Sequence, residues 1–335
     1  MADKKMARIL SPTPQNIARL ARAIRRGELV AVPTETVYGL AADALNPVAC
    51  RAIFKAKGRP LTDPLIVHVR TMRELHSIAH VPVEAITLAR KFWPGPLTLV
   101  LPRKPVVPDM VAAGGPTVAV RMPAHAVMRR LLRAAGRPLA APSANPFGRL
   151  SPTTAAHVEA GLGKLIPWIL DGGPCSVGVE STIVDFSDPD RPRILRPGGI
   201  PAAVIARVLG KRVPVFTGSA RVSAAQKAPG MLTQHYSPST PLVLHRKLTA
   251  SRVRRGAADE AFLFFKNPGA KTTASHPNVS WLSERGSPAA AARRLFAKLH
   301  ELDAHGFATI RAELAPAGDT CAAINDRLRR AAARG

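Results

Sequence analysis

The 335-residue chain reads as an α/β protein in two parts. A large mixed sheet with flanking helices is expected over residues 10–210 and a smaller α/β domain over 241–335, joined by a linker at 211–240. Three observations predict this. Short apolar runs bounded by Pro, Gly or Asn alternate with segments of helical period, the pattern of interleaved strands and helices. Residues 211–240 lose that periodicity and gather Pro, Gly, Ser and Thr. The alternation then resumes to the end of the chain. The length suffices for two cores.

The elements follow in order. Residues 14–26 place Ile17, Leu20, Ala21 and Ile24 on one helical face, with Gly27 beyond the end. "ELVAVPT" is a buried strand running into a proline-led turn. "NPVACRAIFKAK" is a helix capped by Asn46, with Pro47 in its first turn. "PLIVHV", "PLTLVLP", "TVAVRMP" and "PLAAPSAN" are strands, with helices between them at 82–93 and 125–135. "WILDGG", "STIVDF" and "RILRPGG" complete the strands of the first part. The second part offers strands in "PLVLH", "EAFLFF", "NVSWLS" and "FATIRAEL". An amphipathic helix follows in "PAAAARRLFAKLHELDAHG" and a final one in "DTCAAINDRLRRAAAR". This second pattern is Rossmann-like, but it lacks a glycine-rich dinucleotide fingerprint and is assigned no cofactor.

Composition narrows the function. Hydrophobic residues make up 46% and charged residues 21%, which suits a globular protein. No apolar run reaches the roughly 18 residues of a membrane span, and the first residues lack the pattern of a secretion signal. Three scattered cysteines, Cys50, Cys175 and Cys321, suit reduced thiols better than a disulfide framework or a zinc site. A cytoplasmic protein without membrane attachment is expected. The net charge of +26 is either compositional drift or a means of holding anions such as nucleotides, nucleic acid or phosphate.

No P-loop and no nucleophile elbow occurs, and His68, His125, His157 and His235 lack metal-ligand spacing. The candidate chemistry lies instead in short polar signatures at strand ends, where open α/β sheets bind ligands. In "VPTETVYGL", Thr34 and Thr36 either cap the next segment or hydrogen-bond a small substrate. Lys55, Lys57 and Arg59 crowd a helix end, where cations are favoured. Gly58 and Pro60 restrict the backbone around Lys57 and Arg59, and a fixed guanidinium fork suits phosphate. Arg121 stands inside an apolar strand and requires a partner, either a protein carboxylate or an anionic substrate. Ser143 and Asn145 lie between prolines after a strand. Gly178 and Ser181 precede one, and Arg196 adjoins a Pro-Gly-Gly turn.

In this order, "PTETVYGL", "KGRP", "PLIVH", "FWPGPLT", "VAVRMP", "APSANPFGRLSPT", "VESTIVD" and "ILRPGGI" resemble the threonylcarbamoyl-AMP synthases, whose catalytic part is the YrdC-like domain. Lys57-Gly58-Arg59 and Ser143-Ala144-Asn145 match the family's Lys-x-Arg and Ser-x-Asn signatures. "PGMLTQHYSPSTPL" resembles the linker of the two-domain members, so the likeness runs over about residues 10–335. It implies synthesis of L-threonylcarbamoyladenylate from L-threonine, bicarbonate and ATP, with release of pyrophosphate. The product feeds modification of a tRNA adenosine through a downstream transferase; direct contact with tRNA stays open.

By the same resemblance, Thr36, His68, Arg121, Ala141 and Ser181 would hold threonine. Lys57 and Arg59 would act on the phosphates. Arg59, Asp63, Thr117, Ser143, Asn145, Ser151, Arg196 and Tyr236 would hold ATP, with magnesium on its phosphates and no metal site made by the chain itself. Asp63 departs from several members, which carry asparagine there; a carboxylate repels phosphate unless magnesium or an arginine intervenes. The linker would close over the pocket as a lid.

Two rivals compete with this reading. A basic RNA-binding module without nucleotidyl transfer fits the charge. However, the 10 Phe, 3 Trp and 2 Tyr are not interleaved with cations, which leaves base stacking poorly served. A carbamoyl-transfer domain of the hydrogenase-maturation kind would bring clustered cysteines, which are absent from the sequence.

Overall fold

The protein is described by a computed structural model over residues 6–216, 218, 226–231 and 235–333. Part of the expected linker, residues 217, 219–225 and 232–234, lies outside these described residues, as do both chain ends.

Ten strands form the first sheet: β1 (Arg8–Leu10), β2 (Val30–Val32), β3 (Gly39–Asp43), β4 (Ile66–His68), β5 (Leu97–Pro102), β6 (Thr117–Arg121), β7 (Leu139–Ala140), β8 (Trp168–Leu170), β9 (Thr182–Asp185) and β10 (Arg193–Arg196). Their spatial order is β1-β8-β2-β3-β7-β4-β6-β5-β9-β10. Parallel and antiparallel pairs mix: β4 runs parallel to β6 and β5 to β9, whereas β7 opposes both β3 and β4. The helices of this part are α1 (Pro14–Arg25), α2 (Pro47–Lys57), α3 (Met72–Ile78), α4 (Val83–Phe92), α5 (Ala126–Ala135), α6 (Ala155–Leu162) and α7 (Ala202–Leu209).

Local chemistry explains most of the boundaries. Asn46 accepts from the amides of Val48 and Ala49, and Gly58 ends α2 in the left-handed conformation that glycine adopts without strain. The sequence reading missed β1, β3, α3, α6 and α7. β3 is "GLAAD", weak in strand formers; pairing with β2 and β7 on its two sides overrides that preference. The strand expected across "PLAAPSAN" is reduced to two residues, because Pro142 and Pro146 flank a loop.

The second sheet is wholly parallel, in the order β11-β14-β12-β13, built from β11 (Leu242–His245), β12 (Glu260–Lys266), β13 (Val279–Ser283) and β14 (Thr309–Glu313). Its helices are α8 (Ala250–Arg254), α9 (Ala270–Thr273), α10 (Pro288–Ala304) and α11 (Ala322–Ala332). The short α8 and α9 escaped the sequence reading.

The two parts meet in a common buried cluster. Val37, Leu150 and Val179 of the first part pack in one buried cluster with Leu295, Phe296, Leu299 and Ile324 of the second. Gly178, at φ +80°, lets α10 approach: a Cβ there would stand 2.4 Å from Arg293 Cα. The described linker residues are packed as well. Ala228 and Met231 are buried against Ile66, Val100, Ile183 and Leu195.

Candidate active site

The loops after β2 and β7 meet the ends of β4, β6 and β10 and the segment just before β9 around one pocket. Its lining includes Thr36, Arg59, His68, Arg121, Ala141, Ser143, Ser181, Arg196 and Tyr236. Four signatures far apart in sequence therefore face one cavity. The remaining candidates stand behind that lining or away from it.

After β2, Thr34 ties the turn together. Its Oγ1 accepts from the Thr36 and Val37 amides at 3.1 and 3.2 Å and donates to the Val37 carbonyl at 2.6 Å. Thr36 is left facing the pocket, where Arg121 Nη1 donates to its Oγ1 at 2.8 Å. Arg121 and His68 end the paired strands β6 and β4 and sit in register. Glu35 supplies the partner that Arg121 requires, at 2.6 Å. Burial would raise the Glu35 carboxyl, but the Arg121 guanidinium holds it below the usual carboxylate range. Burial, helped by the Arg121 charge, pushes His68 down to about 3, so its imidazole is neutral.

The phosphate-type groups come from the end of α2. Lys57 Nζ donates to the Ser143 carbonyl at 2.5 Å and to that of Asn145. Arg59 donates from Nε to the Asp63 carbonyl at 2.9 Å and from Nη2 to the Pro64 carbonyl at 2.6 Å. Asp63 lies 3.0 Å from Arg59 Nη2, so an arginine does intervene at this position. Burial lowers the pKa of Lys57 well below the ordinary lysine value, and the Arg59 charge adds to the effect. Thr117 occupies the far end of β6, four residues from Arg121 and thus about 13 Å away along the strand, and outside the pocket lining.

On the opposite wall, Ser181 shares a 2.7 Å hydrogen bond with Thr98. Arg196 donates from Nη2 to the Ser181 carbonyl at 3.1 Å and hydroxyl at 3.2 Å. Ser151 donates to Glu180 Oε1 at 2.5 Å. Glu180 in turn receives Arg327 Nε at 2.8 Å. Arg327 belongs to α11 of the second domain, is fully buried, and also bonds the Pro197 carbonyl at 2.8 Å. Burial opposes charge on Glu180, yet the Arg327 and Arg196 guanidinium groups hold its carboxyl below the usual range.

Tyr236 closes the pocket from the linker. It adopts φ +66°, a strained region for a bulky residue. That conformation sets its ring beside Arg327, 5.3 Å away, and Phe296, 5.6 Å between centroids. Gly230, at φ +78°, makes room for it: a Cβ would stand 2.7 Å from the Tyr236 hydroxyl. With Gly230 and Tyr236 in these positions the void is only about 40 Å³.

Several buried polar atoms here lack hydrogen-bond partners: His68 Nδ1, Asn145 Oδ1 and Tyr236 Oη. Buried polar groups are rarely left so, and two of these atoms belong to side chains that line the pocket, His68 and Tyr236. Sequence reasoning did not single out Glu35, Glu180, Arg327 or Gly230 as functional. The first two stand within motifs it quoted, and an arginine in an apolar strand already demanded a carboxylate. Arg327 gave no signal, since its position depends on how the second domain docks.

Comparison with known proteins agrees with this geometry. Residues 22–198 match the Sua5/YciO/YrdC family model, described as telomere recombination, and residues 200–333 match the model of the threonylcarbamoyl-AMP synthase C-terminal domain. The threonylcarbamoyl-AMP synthase of Pyrococcus abyssi is 42% identical over 316 residues, covering 92% of this chain and 91% of the relative. That of Bacillus subtilis is 46% identical over 237 residues, covering 70% and 68%. The crystal structure of P. abyssi Sua5 complexed with L-threonine superposes with a TM-score of 0.87 at 38% identity, covering 97% of this chain and 98% of that one. The chain therefore belongs to the threonylcarbamoyl-AMP synthases, enzymes that form an adenylate, and carries both the YrdC-like domain and the C-terminal domain of the family.

Proposed function

We propose that the protein condenses L-threonine, bicarbonate and ATP into L-threonylcarbamoyladenylate and pyrophosphate, in the pocket bounded by Arg59, Arg121, Ser143 and Ser181. The convergence of these four residues on one cavity carries the reading. The threonine amine and bicarbonate give a carbamate with loss of water. A carbamate oxygen then attacks the α-phosphorus, and the bond from that phosphorus to the β-bridging oxygen breaks as pyrophosphate leaves. No protein nucleophile is needed. Catalysis rests on positioning and on charge stabilisation at the phosphates.

In this reading the two walls divide the work. Thr36, His68, Arg121, Ala141 and Ser181 hold threonine. Glu35 pairs with Arg121 at 2.6 Å and fixes the orientation of its guanidinium, whose remaining N–H groups serve the substrate carboxylate. His68, held neutral, accepts a hydrogen bond from the amino acid. Arg59 and Arg196 face the ATP phosphates, with Ser143 beside them. Lys57, Asn145, Ser151 and Asp63 shape that wall from behind. Phosphate oxygens near Lys57 would reverse the downward push on its pKa and favour the ammonium. Magnesium would enter as part of the substrate, on the phosphates, because ATP needs neutralisation beyond what two cations give.

A void of about 40 Å³ does not admit an adenylate. Gly230 and Tyr236 must therefore withdraw for ATP to enter and return to exclude water from the labile carbamate. The product would pass to a tRNA-modifying transferase in the cytoplasm. No helix among the described residues is long and apolar enough to cross a membrane.

The test is mass spectrometry of the protein incubated with ATP, threonine and labelled bicarbonate. A threonine- and ATP-dependent adenylate carrying the label is expected. Salt-dependent RNA affinity with no such product would favour the RNA-binding alternative instead.

A further inference from the structure

The second domain has a crevice of its own, about 950 Å³, at the carboxyl end of its parallel sheet. It lies where the topology of an α/β sheet creates binding sites. β12 and β14 are neighbours. β12 leads through α9 to β13 on one side of it. β14 leads into α11, which packs toward β11 on the other side. Successive elements thus leave adjacent strands in opposite directions, and the loops part to form a cleft there. The lining comes from all three strands around that point: His245, Arg246 and Lys247 after β11, Phe265 from β12, Glu313 to Ala317 after β14, and Asn325 and Arg329 from α11.

The walls are fixed by polar side chains. Glu313 accepts from the amides of Leu248 and Phe265, both at 3.2 Å, tying the ends of three strands together. Asn325, buried, is paired twice with the backbone of Ala315, at 2.9 and 3.0 Å. On this rigid frame the guanidinium groups of Arg246 and Arg329 and the ammonium of Lys247 are exposed. Arg246 and Lys247 come from the loop after β11 and Arg329 from α11, and all three line the same crevice with one carboxylate, Glu313. His245 adds a buried Nε2 without a hydrogen-bond partner. Phe265, Leu314 and Ala315 give the cleft an apolar floor.

We infer that this crevice binds a phosphorylated small molecule of mononucleotide size. Its phosphate would lie among Arg246, Lys247 and Arg329, and its ring against Phe265 and Leu314. The volume falls within the range of small-molecule sites. Arginine forks and a lysine suit phosphate. Side chains replace the glycine-rich loop that the sequence lacks, which points to one phosphate group rather than to a dinucleotide. The site is separate from the catalytic pocket. On α11, Asn325 and Arg329 share the crevice face, while Arg327 projects to the other side, against Glu180.

The experiment is isothermal titration of the full-length protein with AMP, with inorganic phosphate, and with a short single-stranded RNA, comparing the native chain with the Arg246→Ala/Arg329→Ala variant. A control, Arg285→Ala/Arg294→Ala, removes equal charge from elsewhere on the domain. We expect a binding event for AMP that weakens by roughly fivefold to tenfold in the crevice variant, unchanged in the control, with threonine-dependent pyrophosphate release equal in all three proteins. Phosphate displacing AMP only at much higher concentration would support the ring contact. AMP binding indifferent to the crevice variant would overturn the inference, as would equal loss in the control, phosphate binding as tightly as AMP, or crevice-dependent binding of RNA alone. Because the readout is binding, the outcome stands apart from the catalytic proposal.

Discussion

The two cavities of this protein sit at comparable places, at the ends of strands in an α/β sheet, yet they treat charge in opposite ways. In the catalytic pocket, Arg59, Arg121 and Arg196 are each at most 7% exposed and donate to carbonyls, hydroxyls or carboxylates. In the C-terminal crevice, Arg246, Lys247 and Arg329 stand in solvent. A charge held in a dry site acts strongly on its ligand but depends on every neighbour, because removing one partner strands another. A charge in water acts weakly and alone. Substitutions in the first cavity should therefore be large and coupled, and those in the second small and separable.

The largest effect is expected for Arg59→Ala. It removes the phosphate-facing fork and strands buried Asp63. Threonine-dependent pyrophosphate release should fall by roughly a thousandfold, which corresponds to about 4 kcal/mol of lost transition-state stabilisation, while near-ultraviolet circular dichroism reports retained tertiary packing. A folded variant with near-native turnover would remove Arg59 from the phosphate site.

Next comes Arg327→Met, which tests whether the second domain completes the first. Leaving Glu180 buried and unpaired should destabilise the protein by about 3–5 kcal/mol in urea unfolding. Adding Glu180→Gln should recover a large part of that loss. Strictly additive effects in the double-mutant cycle would show that the pair does not couple the domains.

A smaller effect is expected from pH. At the domain interface His157 of α6 stacks on His300 of α10, with centroids 4.0 Å apart. Burial, with the His300 charge beside it, pushes His157 down to about 4 from an ordinary 6.5. The folded state therefore holds this group neutral where the unfolded chain takes up a proton. Stability should be at its full value above pH 6.5 and should fall as pH drops from 6.5 towards 4. The paired carboxylates Glu35 and Glu180, whose pKa values are lowered, add their losses only below about the usual carboxylate range. Thermal melts of His157→Gln should show a shallower fall between pH 6.5 and 4.5; an unaltered slope would assign that fall to other groups. The smallest effect on turnover, none beyond about twofold, belongs to the crevice variant Arg246→Ala/Arg329→Ala, since exposed charges contribute little beyond their own ligand.

The order of short signatures along the chain was enough to identify the family, and local rules placed most of the elements. Asn46 and Pro47 start α2, Gly58 ends it, and the β-branched run before His68 forms β4, because each of these preferences acts within a few residues. What the tertiary structure alone decided was pairing. Which carboxylate meets Arg121, that Lys57 turns to the carbonyls of Ser143 and Asn145, and that Arg327 crosses from the second domain to Glu180 all depend on contacts between residues remote in sequence. β3 shows the same limit in the backbone: its Ala- and Gly-rich stretch has little strand preference of its own, and it is extended because β2 and β7 pair with it. Local propensities are worth tenths of a kcal/mol, whereas a buried charge without its partner is worth several. The long-range terms therefore fix the site, and they cannot be read from neighbours in the chain.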